Sequence, residues 1–176
     1  MRYYLFHRTA SKVFQSLKFP FSLIVVYTLF HLIYFSIADN MLAQIYHEIV
    51  VTPAAGVINF VLPSEQVVAS QNALVSSRAN LQVVRGCDGV GVMMLIVSAI
   101  LVFSRSLKYK LIGLVTGIGL VYILNLIRII GLYFVAVFQR DWFLPIHSYI
   151  APTLIILLCS LFFMYWAFRE STSETH

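Results

Sequence analysis

The chain has 176 residues, of which 60% are hydrophobic and only 11% charged, with a net charge of +5. Soluble domains carry about 25% charged residues, so this composition excludes an ordinary soluble fold and marks an integral membrane protein. The basic residues lie at the ends of apolar runs rather than on one polar face, which suits phospholipid head groups and topology control and points away from nucleic acid.

Crossing a hydrocarbon core takes about 20 helical residues, and four apolar runs approach that length. The first is Phe19 to Ala38. Its Ser36-Ile37-Ala38 end resembles a signal-peptidase site, but the apolar core is longer than the roughly 7–15 residues of a signal sequence, so an uncleaved anchor is expected. Ile45 to Leu62 is apolar too, yet it holds His47, Glu48 and Pro53, and is expected to be an interfacial or re-entrant helix. Pro63 to Val84 has β-prone ends around turn-prone Ser, Asn and Gln and reads as a small extracytoplasmic loop or hairpin. The second run spans Gly89 to Phe103, the third Leu111 to Phe138 and the fourth Tyr149 to Phe168. The predicted fold is an all-α polytopic membrane protein of about four transmembrane helices. It comprises a basic tail (1–18), one membrane-embedded domain (19–168) and a C-terminal tail (169–176).

Charges between the runs set the direction. Arg2, Arg8, Lys12 and Lys18 precede the first run, and Arg105, Lys108 and Lys110 follow the second, with no acid in either group. The positive-inside rule places both groups, and both termini, in the cytoplasm. The segments Asp39 to Asp88 and Gln139 to His147 then face outward.

Cys87 stands at the outer doorway of the second run, in Val84-Arg-Gly-Cys-Asp-Gly-Val90. A thiolate is a strong nucleophile where a helix N-terminus and nearby cations favour it. From Lys110, helical rise carries the third run about 27 Å to Arg128, roughly one hydrocarbon thickness. Arg128 therefore reaches the level of Cys87, and His147 begins the fourth run from the same side. An arginine within an apolar helix is a functional-site hypothesis by default, the alternative being a side chain that snorkels to the interface. His147 could equally be an interfacial histidine. Together the three supply a nucleophile, a base and an oxyanion donor. Asn125 lies on the helix face of Arg128 and either orients it, binds a substrate amide or packs between helices. Cys159, deep in the fourth run, reads as a small buried hydrophobe. The two cysteines form no disulfide framework, no CxxC or histidine-rich metal spacing occurs, and no metal or organic cofactor is expected.

The segments Gly86-Cys87-Asp88-Gly89, Lys110-Leu-Ile-Gly113, Asn125-Leu-Ile-Arg128-Ile and the late His147 resemble the exosortase/archaeosortase family. The likeness covers about residues 67–168 and is nearest the small exosortases of the H type. It implies a Cys87–Arg128–His147 catalytic site, supported by Asn125, Asp88 and Gly89, on the outer face of the cytoplasmic (inner) membrane. It further implies that the substrates are secreted proteins with a C-terminal sorting tail. In the implied mechanism Cys87 attacks the scissile carbonyl, Arg128 stabilises the oxyanion and His147 protonates the leaving amine. The thioester then passes to an acceptor the sequence does not disclose. Larger members carry about eight spans. This chain lacks the extra N-terminal helices, which leaves room for a partner or a second copy, and Gly113-x-x-x-Gly117 offers either a homo-oligomer face or an internal packing face. The competing reading is a non-enzymatic membrane subunit of a secretion or envelope-polysaccharide assembly. A thiol-redox enzyme is disfavoured, because Cys159 lies roughly 15 Å below the surface by helical rise.

Overall fold

The computed structural model describes residues 2–169, with side chains from Lys18 onward. Helix α1 (Arg2–Ser36) leads to α2 (Asp39–Tyr46), which passes through a π turn (His47–Val51) into α3 (Thr52–Val61). Three short strands, β1 (Val68–Ser70), β2 (Ala73–Val75) and β3 (Asn80–Gln82), form one antiparallel sheet in that order. Then come α4 (Val90–Val102) and α5 (Leu107–Phe138). The short α6 (Phe143–Pro145) runs through a second π turn (Ile146–Ile150) into α7 (Ala151–Phe168).

Both π turns have the same local cause. Pro53 and Pro152 each follow a π turn closely, and a helical proline removes one N–H and crowds the carbonyl four residues back. For Pro53 that carbonyl belongs to Ile49, and the Tyr122 hydroxyl donates to it at 2.9 Å. The second π turn carries His147.

Among the described residues, four helical stretches are long and apolar enough to span a membrane: Lys18–Ser36, Asp39–Val61, Leu107–Phe138 and Arg140–Phe168. The expected second span, by contrast, is a 13-residue helix only about 20 Å long. Although Asp39–Val61 has the length to cross, both its ends are tied to the Cys87 end of the bundle. Asp39 accepts from Arg85 at 2.9 Å, two residues before Cys87. Past Val61, Glu65 accepts from Tyr133 at 2.8 Å, and Tyr133 sits roughly 7 Å beyond Arg128 along α5. Both ends of the segment are thus tied toward one end of the bundle, the placement that an interfacial or re-entrant helix has.

At 32 residues, α5 is about 48 Å long, more than the roughly 30 Å core requires. Its last turns extend past the membrane level and support the sheet. Leu74, Val67 and Val83 from the strand region pack there against Ile58, Ile129 and Tyr133. Glu65, buried beneath this sheet, pairs with Arg78 at 2.7 Å. A second apolar cluster, with Ile96, Ile100, Val121, Cys159 and Trp166, joins α4, α5 and α7. The Gly113/Gly117 face lies inside the chain: Trp166 fills the space over Gly113 and Phe162 that over Gly117. Cys159 is buried in the same cluster, as expected. Large apolar side chains remain exposed along α1, α5 and α7, among them Leu29, Ile127 and Leu157, a surface suited to lipid.

Candidate active site

The polypeptide enters α4 through a turn built on two glycines. Gly86 and Gly89 have φ of +85° and +78°, a region that a side chain makes costly. At Gly89 the space is also closed, because a Cβ would lie 2.7 Å from Asn125 Cγ. Between the two glycines stand Cys87 and Asp88. The Cys87 amide donates to Val84 O at 2.9 Å, closing the turn, and the Val90 amide donates to Asp88 Oδ1 at 3.3 Å, satisfying one free donor at the start of α4.

Asp88 is buried and held by three elements. The hydroxyls of Tyr34 on α1 and Tyr46 on α2 both donate to its Oδ2, the latter at 2.6 Å, and lie 2.7 Å from each other. Asn125 on α5 donates to the Asp88 carbonyl at 2.8 Å. A buried carboxylate is costly unless hydrogen-bonded, and here two phenols and an amide N–H meet that need. Arg85 completes the frame by donating to the carbonyls of Tyr34, in the last turn of α1, and of Ile37, just beyond it.

On the other side Cys87 meets the π turn that leads into α7. Its Sγ lies 3.3 Å from His147 Nε2. The imidazole stacks on Phe143, with ring centroids 5.4 Å apart and planes at 10°. Arg128 links the two: Nη1 donates to Cys87 O at 3.2 Å and Nη2 to His147 O at 3.3 Å. A guanidinium has five N–H groups, and these bonds use two of them. Nε of Arg128 is buried without a partner, as are His147 Nδ1 and Asn125 Oδ1, so donors and an acceptor remain for a bound group. All three residues expected to meet at one depth do meet, with Asn125, Asp88 and Gly89 around them. Arg128 in this state joins backbone to backbone rather than pointing only into open space, a feature spacing does not reveal. Among the described residues no group of three or more His, Cys, Asp or Glu is placed to hold a metal.

The model of the transmembrane exosortase family (Exosortase_EpsH) matches residues 4–166. The chain belongs to this family. Searches of curated proteins and of solved structures returned no match. The family match begins well before residue 67, so α1 and the α2–α3 segment belong to the exosortase unit as much as the Cys87 region does. Their contribution is visible in Tyr34 and Tyr46, which sequence reading passed over because each lies in an apolar run where a tyrosine ordinarily marks the interface. Family membership makes this a multi-pass membrane protein with a transpeptidase-like role in general terms.

Proposed function

We propose that this exosortase-family chain is a cysteine transpeptidase that removes the C-terminal sorting tail of secreted proteins at the outer face of the cytoplasmic membrane. The observation that supports this most strongly is the 3.3 Å approach of Cys87 Sγ to His147 Nε2. It brings together a nucleophile and a base from segments distant in sequence.

In the proposed reaction His147 takes the thiol proton and Cys87 Sγ bonds to the scissile carbonyl carbon. The negative charge that develops on the carbonyl oxygen is met by unused N–H groups of Arg128. The tetrahedral intermediate then collapses. The C–N bond breaks, and the proton on His147 passes to the leaving amine, which departs with the tail. An acceptor bearing O–H or N–H then attacks the Cys87 thioester and regenerates the thiol. Water as acceptor gives a free carboxylate; an amine or hydroxyl gives a transferred product. The Tyr34–Asp88–Tyr46 cluster holds the turn on which Cys87 rides, so a small shift there would cost rate steeply.

The test is co-expression of the full chain with a protein bearing a candidate tail, wild type against Cys87→Ala. Wild type should release the tail and Cys87→Ala should not. Tail loss that persists in the variant overturns the proposal. The mass of the new C-terminus distinguishes hydrolysis from transfer.

A further inference from the structure

We propose, resting on the transpeptidase reading above, that the free edge of β3 binds an extended segment of the substrate polypeptide as a fourth strand. That segment lies on the secreted side of the scissile bond and within about five residues of it. The three-stranded sheet has two edges, and only one of them is closed. At the β1 edge the outward backbone groups are largely taken. The Asn59 side chain accepts from Val67 N at 2.7 Å and donates to Val67 O at 2.8 Å, and His47 Nδ1 lies 2.9 Å from Gln71 O. The first π turn and α3 pack on this side. At β3 the pattern is reversed. Val83 N donates to Asn72 O and Ser76 N to Ala79 O, and strand alternation then turns residues 79, 81 and 83 toward β2. Asn80 and Gln82 therefore point their N–H and C=O groups away from the sheet. No described residue bonds to those four groups, and both residues are exposed.

A bare edge is a template for a further strand, and main-chain pairing of this kind is a general way to hold an extended peptide. Two features fit the β3 edge to the substrate. The first is stiffness. β3 is clamped from its inner side, with Asn72 Nδ2 donating to Val83 O at 2.8 Å and Leu74 and Val83 buried over the end of α5. The edge is thus fixed before a peptide arrives, which lowers the cost of binding. The second is place. Cys87 follows Gln82 by five residues, a reach of at most about 17 Å, so a peptide paired along β3 leads to the thiol. The sheet stands past the membrane level at the end of α5, on the side where the secreted part of the substrate lies. Its free N–H and C=O groups match an extended backbone and span about three residues of an antiparallel partner.

Two measurements on the full chain in micelles, with one tail-bearing protein, test the edge. In Cys87→Ala, which should bind without turnover, hydrogen exchange at the Asn80 and Gln82 amides should slow about tenfold once the added protein stands at about ten times its Kd. With Cys87 intact, Gln82→Pro deletes one outward N–H while keeping the bonds to β2. It should raise KM for tail removal about two- to tenfold, the worth of one main-chain hydrogen bond, with kcat little changed. Ala69→Pro makes the same deletion on the closed β1 edge and should leave KM as it was. Tail release by the wild type with no slowing of exchange, or equal KM for Gln82→Pro and Ala69→Pro, overturns the edge and leaves the reaction standing. Slowed exchange without tail release overturns the reaction and leaves the edge standing. Neither slowing nor release tells against both. Slowing that needs no added protein and grows with chain concentration would mean a second copy on the edge, which also overturns the proposal.

Discussion

Gly89→Ala should be far more damaging than Gly86→Ala, although both positions share a left-handed backbone. At Gly86 (φ +85°) an added Cβ meets nothing within 4 Å, so the cost is backbone strain alone, about 1–2 kcal/mol. At Gly89 (φ +78°) the same strain applies, and the new Cβ would stand 2.7 Å from Asn125 Cγ and 3.0 Å from its Oδ1. Asn125 must move, which gives up its 2.8 Å bond to the Asp88 carbonyl and strands a buried polar group, a further loss of about 1–3 kcal/mol. The expected total at Gly89 is roughly 2–5 kcal/mol. Unfolding of both variants in micelles, in a Cys159→Ala background, gives the two costs. The alkylation rate of the remaining thiol reports whether Cys87 has been displaced. Equal costs, or an unchanged alkylation rate in Gly89→Ala, would refute the claim that Gly89 and Asn125 form one close-packed unit.

Other predictions follow from the same contacts. Tyr46→Phe removes a donor from buried Asp88 and should destabilise the fold by about 1–3 kcal/mol; a double-mutant cycle with Tyr34→Phe should show coupling between the phenols, and strict additivity would argue against a shared network. Gly113→Ala places a Cβ 2.5 Å from Trp166 Nε1 and should loosen α5 from α7. Gly119→Ala, with open space, should be neutral or stabilising by about 0.5–1 kcal/mol, and thermal unfolding of the pair checks the contrast. Arg78→Ala takes a partner from Glu65, whose side chain is only 2% exposed, and should lower stability by about 1–3 kcal/mol in denaturant titration.

The apolar runs were legible because the bilayer imposes length and polarity on any segment that crosses it. Helical rise then brought Arg128 to the level of Cys87 from sequence distances alone. Partners of those residues were harder to read, since nothing in the sequence says that α1 and α2 flank Asp88. Tyr34 and Tyr46 therefore carried no signal beyond their type. Strands of three residues offer too little alternation to declare themselves, so the Pro63–Val84 segment was read only as a loop or hairpin. The π turns did have a mark in the prolines at 53 and 152, each placed where an α-helical bond to the preceding turn cannot form. His47, Glu48 and Pro53 marked Ile45 to Leu62 as interfacial or re-entrant, but the bonds that tie Asp39 to Arg85 and Glu65 to Tyr133 are long-range and cannot be seen in a linear pattern.

The central proposal is that Cys87, set against His147 and Arg128, forms an acyl-enzyme with the substrate. Intact-mass analysis of the chain during turnover of a tail-bearing substrate tests this most directly. The account predicts a hydroxylamine-sensitive adduct that maps to Cys87 and carries the substrate minus its tail, present in wild type and missing in Cys87→Ala. Tail removal with no such adduct, undiminished in Cys87→Ala, would contradict it.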